Sequence, residues 1–177
     1  MKKISLFMFT TLITFLSAHG IVTRAQAAPG SLYKEYCALL HSHAAQGNIK
    51  CLKTLLQNPQ AKQALESRSQ YLKLTPLLQA LFWLPHTKKH CACVKVLLAA
   101  GASTVAKTKN RKSTAMHLAC RAGCFTCINT LLKYDQNITR KDRDGDTPAG
   151  VAQKYAEFYT DNATQEKFIK CFSFFNL

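Results

Sequence analysis

The sequence is poor in acidic residues. Its 177 residues include 9 Asp and Glu against 24 Lys and Arg, which gives a formal net charge of +15. No acidic side chain occurs between Glu66 and Asp135, whereas eleven basic side chains fall in that interval. Such an imbalance produces a broad positive field, which attracts anionic partners and raises encounter rates.

Motifs that mark common enzyme classes are also lacking. The chain has no nucleophile elbow, no phosphate-binding loop and no paired carboxylates placed for acid–base catalysis. Asp142, Asp144 and Asp146 alternate around Gly145, but the closing Glu of an EF-hand calcium loop is missing, so we interpret them as turn residues. The sequence therefore predicts a protein that is not an enzyme and has no cofactor and no metal.

Long apolar runs are scarce. The one near the start, residues 4–18, follows Lys2 and Lys3 and is too short to span a membrane. It leads to Ala25-Gln26-Ala27, the small-x-small pattern of a cleavage site. We predict that residues 1–27 are a bacterial-type secretory signal peptide. The remaining chain, 28–177, would be exported to the periplasm or secreted, without a stable membrane span.

Three segments of the remaining chain resemble one another. AAQGNIKCLKTLLQ starts at Ala44, KKHCACVKVLLAAGA at Lys88 and CRAGCFTCINTLLKY at Cys120. In each, a Cys is followed by an aliphatic residue, two further positions and Leu-Leu. TPLLQA and TAMHLA precede the second and third segments, and DRDGDTPAGVA provides a fourth start. Self-similarity at this spacing is typical of repeat architectures.

These motifs resemble the ankyrin repeat, a turn plus two antiparallel helices in about 33 residues. DGDTPAGVA and STAMHLACRAG are close to the family pattern D-x-x-G-x-T-P-L-H-x-A-A-x-x-G. The resemblance implies an all-α ankyrin-repeat solenoid of about four helix-turn-helix repeats, with short turn tips and a helical C-terminal cap. The repeats would occupy residues 31–66, 67–107, 108–141 and 142–177.

The resemblance also implies a binding surface, because in such proteins the turn tips and first helices line a groove. We name the tips before repeats two, three and four tip 2 (67–73), tip 3 (107–113) and tip 4 (139–146). Each carries Arg or Lys, and tip 3 has Arg111 and Lys112 where the family often has Asp and Gly. The candidate partner-binding residues are Arg68, Tyr71, Lys73, Lys107, Lys109, Arg111, Lys112, Arg140, Lys141 and Arg143.

We therefore predict a non-enzymatic protein–protein interaction module, an ankyrin adaptor outside the cytoplasm, that binds an acidic surface of another protein. Export argues against a role with genomic nucleic acid. Two alternatives remain open: an exported thiol protein in redox or oxidative-stress defence, and a binder of polyanions such as lipid headgroups or polysaccharide.

The eight cysteines divide by their place in the repeat. Cys51, Cys93 and Cys127 share a position that is a buried aliphatic residue in the family pattern, so they are predicted to fill the core. Cys124 begins a helix, where thiol pKa values fall. The candidate disulfide or redox residues are Cys91, Cys120, Cys124 and Cys127, and three pairings stay open: Cys91–Cys124, Cys120–Cys124 and Cys124–Cys127.

The histidines have no catalytic pattern. By resemblance to the family, His117 in TAMHLA is expected to hydrogen-bond the turn of its own repeat, and His41 occupies the matching place in repeat one. No partner is evident from sequence for His43, His86 and His90.

Overall fold

The computed structural model describes residues 29–83, 87–159 and 161–176. Within these ranges the chain is helical and contains no strand, which confirms the all-α prediction. The helices are α1 Pro29–Gln46, α2 Ile49–Leu55, α3 Pro59–Gln63, α4 Pro76–Phe82, α5 Lys88–Ala99, α6 Ala115–Arg121, α7 Phe125–Leu132, α8 Pro148–Phe158 and α9 Asn162–Ser173. Short 3₁₀ turns, Ala64–Glu66 and Phe174–Asn176, follow α3 and α9.

The predicted signal peptide, residues 1–27, lies outside the described residues. In the part of the chain that is described, none of the helices combines the length and the apolar character that crossing a membrane requires.

Threonine and proline start two of the helices, as the repeat motif predicts. The Thr75 hydroxyl accepts from the backbone N–H of Leu78 at 3.4 Å at the start of α4. The Thr147 hydroxyl accepts from Gly150 N–H at 3.2 Å at the start of α8. Each bond satisfies an N–H that the helix itself leaves without an acceptor, and such a cap contributes about 1 kcal/mol.

Glycine permits the tight turn inside a repeat. Gly123 separates α6 from α7 with φ +60°, a conformation that other residues rarely adopt. A Cβ at this position would also lie 3.2 Å from the ring of Phe168. The glycine predicted from the motif therefore serves both the turn and the close approach of the last helix.

Paired helices stack in two rows within the unit Tyr33–Leu177. One row contains α4, α6 and α8, each in contact with the next; in the other, α2 packs on α5, α5 on α7 and α7 on α9. The pairs α4/α5, α6/α7 and α8/α9 pack together within themselves. One contiguous core runs between the rows, and its largest fully buried side chains include Leu52, Leu77, Leu97, Leu118 and Ile128.

The cysteines at the shared repeat position differ in burial. Cys93 and Cys127 are fully buried, as predicted. Cys51 is only half-buried, so the expectation that it fills the core was wrong; the neighbouring Leu52 is the buried residue of that turn. Cys51 belongs to the first of the described helix pairs that carry this motif.

An aromatic helix covers the end of the stack. α9 packs on both α8 and α7. Its Phe168 is buried and stacks on Tyr159, with ring centroids 5.5 Å apart. Phe174, in the 3₁₀ turn that follows, meets Phe125 of α7 edge-on at 5.3 Å. This is the position predicted for the C-terminal cap.

Candidate functional site

A backbone hydrogen bond closes each tip, between positions five apart in tips 2 and 3 and four apart in tip 4. Ser69 N–H donates to Leu74 C=O, Thr108 N–H to Ser113 C=O and Asp142 N–H to Asp146 C=O, each at 2.9 Å. The residue directly before the accepting carbonyl is equivalent in the three tips, and these residues form a series.

One position in each tip has a left-handed backbone. Lys73 has φ +53°, Lys112 has φ +58° and Gly145 has φ +82°. The two lysines are the only non-glycine residues with positive φ among those described. Left-handed φ costs an ordinary L-residue about 1–2 kcal/mol, so two tips of this protein carry a lysine at a strained place.

Hydrogen bonds join successive tips. The guanidinium of Arg68 donates to the carbonyls of Lys73 at 2.8 Å and Lys107 at 2.7 Å, and so links tip 2 to tip 3. The backbone N–H of Arg143 donates to the carbonyl of Arg111 at 2.7 Å, which links tip 3 to tip 4. The tips are therefore held in register rather than presented as independent turns.

Most of the predicted binding residues are exposed. Tyr71 is 90% exposed at tip 2, far more than a tyrosine that belongs to a core. Lys73, Lys107, Lys109, Arg111, Lys112, Lys141 and Arg143 are also exposed, while Arg111 lies 3.8 Å from Asp144. Arg68 is exposed too, but its guanidinium is committed to the two carbonyls described above.

Arg140 differs from the other nine candidate partner-binding residues. It forms an ion pair with Asp135, and both side chains are largely buried. Burial alone would raise the pKa of Asp135, but hydrogen bonds from Arg140, Asn137 N–H and Thr104 lower it. Arg140 thus stabilises the segment that leads into tip 4 and is not presented to a partner as the exposed residues are.

A groove of about 200 Å³ lies behind tips 2 and 3. Leu72, Leu74 and Phe82 supply apolar surface, and Lys109 and Arg111 of tip 3 lie at its polar side. Arg121, from the last turn of α6, also lines it. The groove therefore combines an apolar wall with three cationic side chains.

Arg121 is a half-buried cation. Its guanidinium lies 5.0 Å from the centroid of the Phe82 ring and donates to the Phe82 carbonyl at 3.3 Å. Burial lowers the pKa of Arg121; Tyr155 opposes this, while the nearby Arg111 adds to it. Among the described residues no carboxylate pairs with it.

Sequence reasoning missed Arg121 and Phe82 as site residues. They lie 39 positions apart, and only the packing of α4 on α6 brings them together. The one available signal was Arg121 itself, a charged residue inside an otherwise apolar helical segment.

The carboxylates of tip 4 have different partners. Asp142 accepts from the backbone N–H groups of Asp144 at 2.9 Å and Asp146 at 3.1 Å. Asp146 pairs with Lys154 at 2.6 Å. Asp142 is thus a turn residue, as predicted, whereas the carboxylate of Asp144 lies near Arg111; the three carboxylates lie within 4.8 Å of one another.

His117 holds its repeat to the following tip. Its Nδ1 accepts from Thr114 N–H at 3.2 Å, and its Nε2–H donates to the carbonyl of Asp146 at 3.0 Å. Burial lowers the pKa of His117, which favours the neutral ring that this arrangement needs. In repeat one, His41 Nε2 lies 3.2 Å from Ser67 Oγ, and burial lowers its pKa as well.

His90 has partners that the sequence did not reveal. Its Nδ1 lies 2.8 Å from the Thr87 hydroxyl in a capping box at the start of α5, and its Nε2 lies 3.0 Å from the Ala45 carbonyl. The Thr-x-x-His spacing repeats that of Thr114 and His117 and could have predicted the cap.

Three cysteine sulfurs converge between α5 and α7. Cys91 Sγ lies 3.1 Å from Cys124 Sγ, and both lie within 4.8 Å of Cys127 Sγ. Of the three pairings left open by the sequence, the structure thus brings together the sulfurs of Cys91–Cys124 and of Cys124–Cys127. Cys120 is fully buried and is not a member of this group. Burial raises the pKa of the Cys120 thiol well above its usual range.

Comparison with known proteins identifies the same architecture. A family model described as ankyrin repeats, in three copies, matches residues 40–142 and 86–158. A stretch of 121 residues, 65% of this chain, is 31% identical to the nuclear factor NF-kappa-B p105 subunit of Gallus gallus. The chain spans 11% of the length of that relative.

Proposed function

Because the chain belongs to the ankyrin-repeat family, whose repeats serve as protein–protein interaction modules, we propose that it is a non-enzymatic adaptor for an acidic protein surface. The groove behind tips 2 and 3 carries this proposal. It offers an apolar wall beside Lys109, Arg111 and Arg121.

Charge supports an acidic partner. Tip 3 contributes four exposed cationic residues, Lys107, Lys109, Arg111 and Lys112, and the stretch from Glu66 to Asp135 has no acidic side chain between its ends. A positive surface next to a groove favours encounter with anionic surfaces and orients them on arrival. Tyr71 adds an exposed aromatic side chain, a residue type enriched at protein interfaces.

The strained lysines give a second line of support. Glycine would relieve the left-handed backbone at positions 73 and 112, as it does at 145. Strained conformations persist mainly where the side chain has a role, because they lower stability. A lysine at the same position of two successive tips fits a role in presenting charge to a partner.

We propose that the protein acts outside the cytoplasm. The basic start, the short apolar run and the Ala-x-Ala pattern support export by a bacterial host, to the periplasm or beyond. The partner is then sought among exported or surface-exposed proteins.

Capture of partners tests the proposal. The protein without residues 1–27 is immobilised and exposed to the exported fraction of its host, and bound proteins are identified. The triple variant Lys109→Glu, Arg111→Glu, Lys112→Glu should lose the bound protein while its melting temperature stays unchanged, since the three side chains are exposed.

A matched variant controls for total charge. Lys53, Lys95 and Lys133 are exposed residues on or after α2, α5 and α7, away from the tips. Changing these three to Glu alters the net charge equally and should preserve capture. Equal loss in both triple variants would show that overall charge attracts the partner, as in the polyanion-binding alternative, and would contradict a site at tip 3.

A further inference from the structure

We propose that Cys91, Cys124 and Cys127 form a binding site for one thiophilic metal ion, Zn²⁺ or Cu⁺, between the second helices of repeats two and three. The proposal is independent of partner binding at the tips, because it concerns α5 and α7 and none of the tip residues.

Geometry is the first argument. All three Sγ atoms lie within 4.8 Å of one another. A metal about 2.3 Å from each of three thiolates in a planar arrangement requires sulfur–sulfur separations of about 4 Å. The 3.1 Å between Cys91 and Cys124 must therefore open by roughly 1 Å, an adjustment of side-chain torsions. That distance is also well above the roughly 2.05 Å of a disulfide bond.

Helix ends supply the second argument. Cys124 is the N-cap residue of α7, Cys127 lies in its first turn, and Cys91 is the fourth residue of α5. The partial positive charge at a helix start stabilises thiolates. The three sulfurs thus lie together near the starts of two helices. In addition, Cys124-x-x-Cys127 has the spacing that is common in zinc sites.

Crowding of thiols is the third argument. The three sulfurs lie within 4.8 Å of one another, close enough for a negative charge on one to repel a negative charge on the next. One thiolate in the group therefore opposes the next unless a cation neutralises them. A metal does so, and its binding releases the thiol protons to the solvent: Zn²⁺ and three R–SH give Zn(SR)₃⁻ and three H⁺, and Cu⁺ and three R–SH give Cu(SR)₃²⁻ and three H⁺.

The surroundings accept the resulting negative charge. Lys88 and Lys89 precede Cys91 in the first turn of α5, and no acidic residue lies between Glu66 and Asp135. Thiolate ligands select Cu⁺ and Zn²⁺ over the hard cations Mg²⁺ and Ca²⁺. Half-burial of Cys91 and Cys124 leaves the site a path to solvent.

Cobalt titration of the reduced chain without oxygen tests the site. Co²⁺ should produce thiolate-to-cobalt charge-transfer absorption that saturates at one equivalent, and Zn²⁺ or Cu⁺ should bleach it. Cys91→Ser and Cys124→Ser should each weaken binding by at least about tenfold, the loss that even changes beyond the ligands produce. The affinity for Zn²⁺ should fall as the pH is lowered, because protons must leave the thiols for each ion that binds.

Controls separate ligand loss from misfolding. Cys37→Ser and Cys51→Ser change other half-buried cysteines and should leave the titration unchanged. Cys127→Val replaces the buried thiol with an aliphatic side chain that suits the core. Helicity measured by circular dichroism should therefore be unchanged, while the cobalt absorption is lost. Unaltered absorption in Cys91→Ser overturns the proposal. So does a Cys91–Cys124 disulfide, found by peptide mapping in protein prepared with Zn²⁺. Bleaching by Zn²⁺ but not Cu⁺, or the reverse, identifies the ion.

Discussion

Lys73 and Lys112 occupy the same place in successive tips, and both have a left-handed backbone, with φ +53° and φ +58°. In the third tip of the series the residue at this place is Gly145. The two lysines therefore carry a conformational cost that the fold itself does not demand, since glycine satisfies the same turn without it.

Replacing Lys112 by glycine should stabilise the protein and impair binding. Relief of the left-handed strain, less the greater flexibility of glycine in the unfolded chain, leaves a gain of about 0.5–1 kcal/mol in the free energy of unfolding. Lys112→Ala keeps the strain and removes the same charge. Urea denaturation should show a gain for glycine alone, and partner capture should fall equally in both variants. A destabilised Lys112→Gly protein would contradict the strain argument.

The fold was predictable because the helix starts and turns of each repeat depend on residues that are close together in the sequence. Thr75 and Thr147 start helices, and Gly123 ends a turn, through interactions within a few residues. Such contacts follow from residue type and spacing alone. The cap was predictable for a related reason: a solenoid end needs a final covering element, and within the predicted repeats phenylalanine is concentrated in the last segment.

The candidate site was only partly predictable, because some of its contacts join residues that are far apart in the sequence. The tip charges could be read from their place in the motif. Arg121 against Phe82, and Cys91 against Cys124, join residues 39 and 33 positions apart. Whether such residues meet depends on how neighbouring repeats pack. Cys91 also follows the connection between α4 and α5, which is longer than the repeat pattern predicts, so the pattern does not fix the position of Cys91. Cys127 is buried in the core and its sulfur also lies near those of Cys91 and Cys124. Its position in the repeat predicted only the first of these two properties.

Arg121→Met should weaken partner capture without lowering stability. A half-buried cation without a carboxylate partner adds little to the fold, and an apolar side chain of similar length can pack against Phe82. The melting temperature should therefore be unchanged or higher, while affinity for an acidic partner falls by about tenfold or more, as for a charged hydrogen bond. Isothermal titration with the captured partner measures the loss. Unchanged affinity would place the acidic contact elsewhere on the tips.

Arg140 and Arg143 should behave oppositely although only three positions separate them. Arg140→Met breaks the ion pair with Asp135 and leaves a largely buried carboxylate without its cation, which should cost about 1.5–3 kcal/mol in unfolding free energy. Arg143 is exposed, and its interaction with tip 3 runs through its backbone, so Arg143→Met should leave stability unchanged and reduce capture. Denaturation and capture assays on the two variants compare the effects directly. Loss of stability in Arg143→Met would show that its side chain also braces the tips.

Mild acid should destabilise the protein through its buried histidines. Burial holds the pKa of His117 and His41 below the ordinary 6.5, so below that pH the unfolded chain binds protons that the folded chain does not. The free energy of unfolding should therefore fall as pH drops through 6.5 and level off below the folded pKa values. At His117 the proton would displace the Thr114 N–H from Nδ1, which breaks the bond that orients the ring.

Denaturation curves between pH 7.5 and about 5 measure how steeply the free energy of unfolding changes with pH. His117→Gln should lower stability at every pH and reduce that slope, and the double variant with His41→Gln should reduce it further. A slope that the double variant leaves unchanged would assign the effect to other groups.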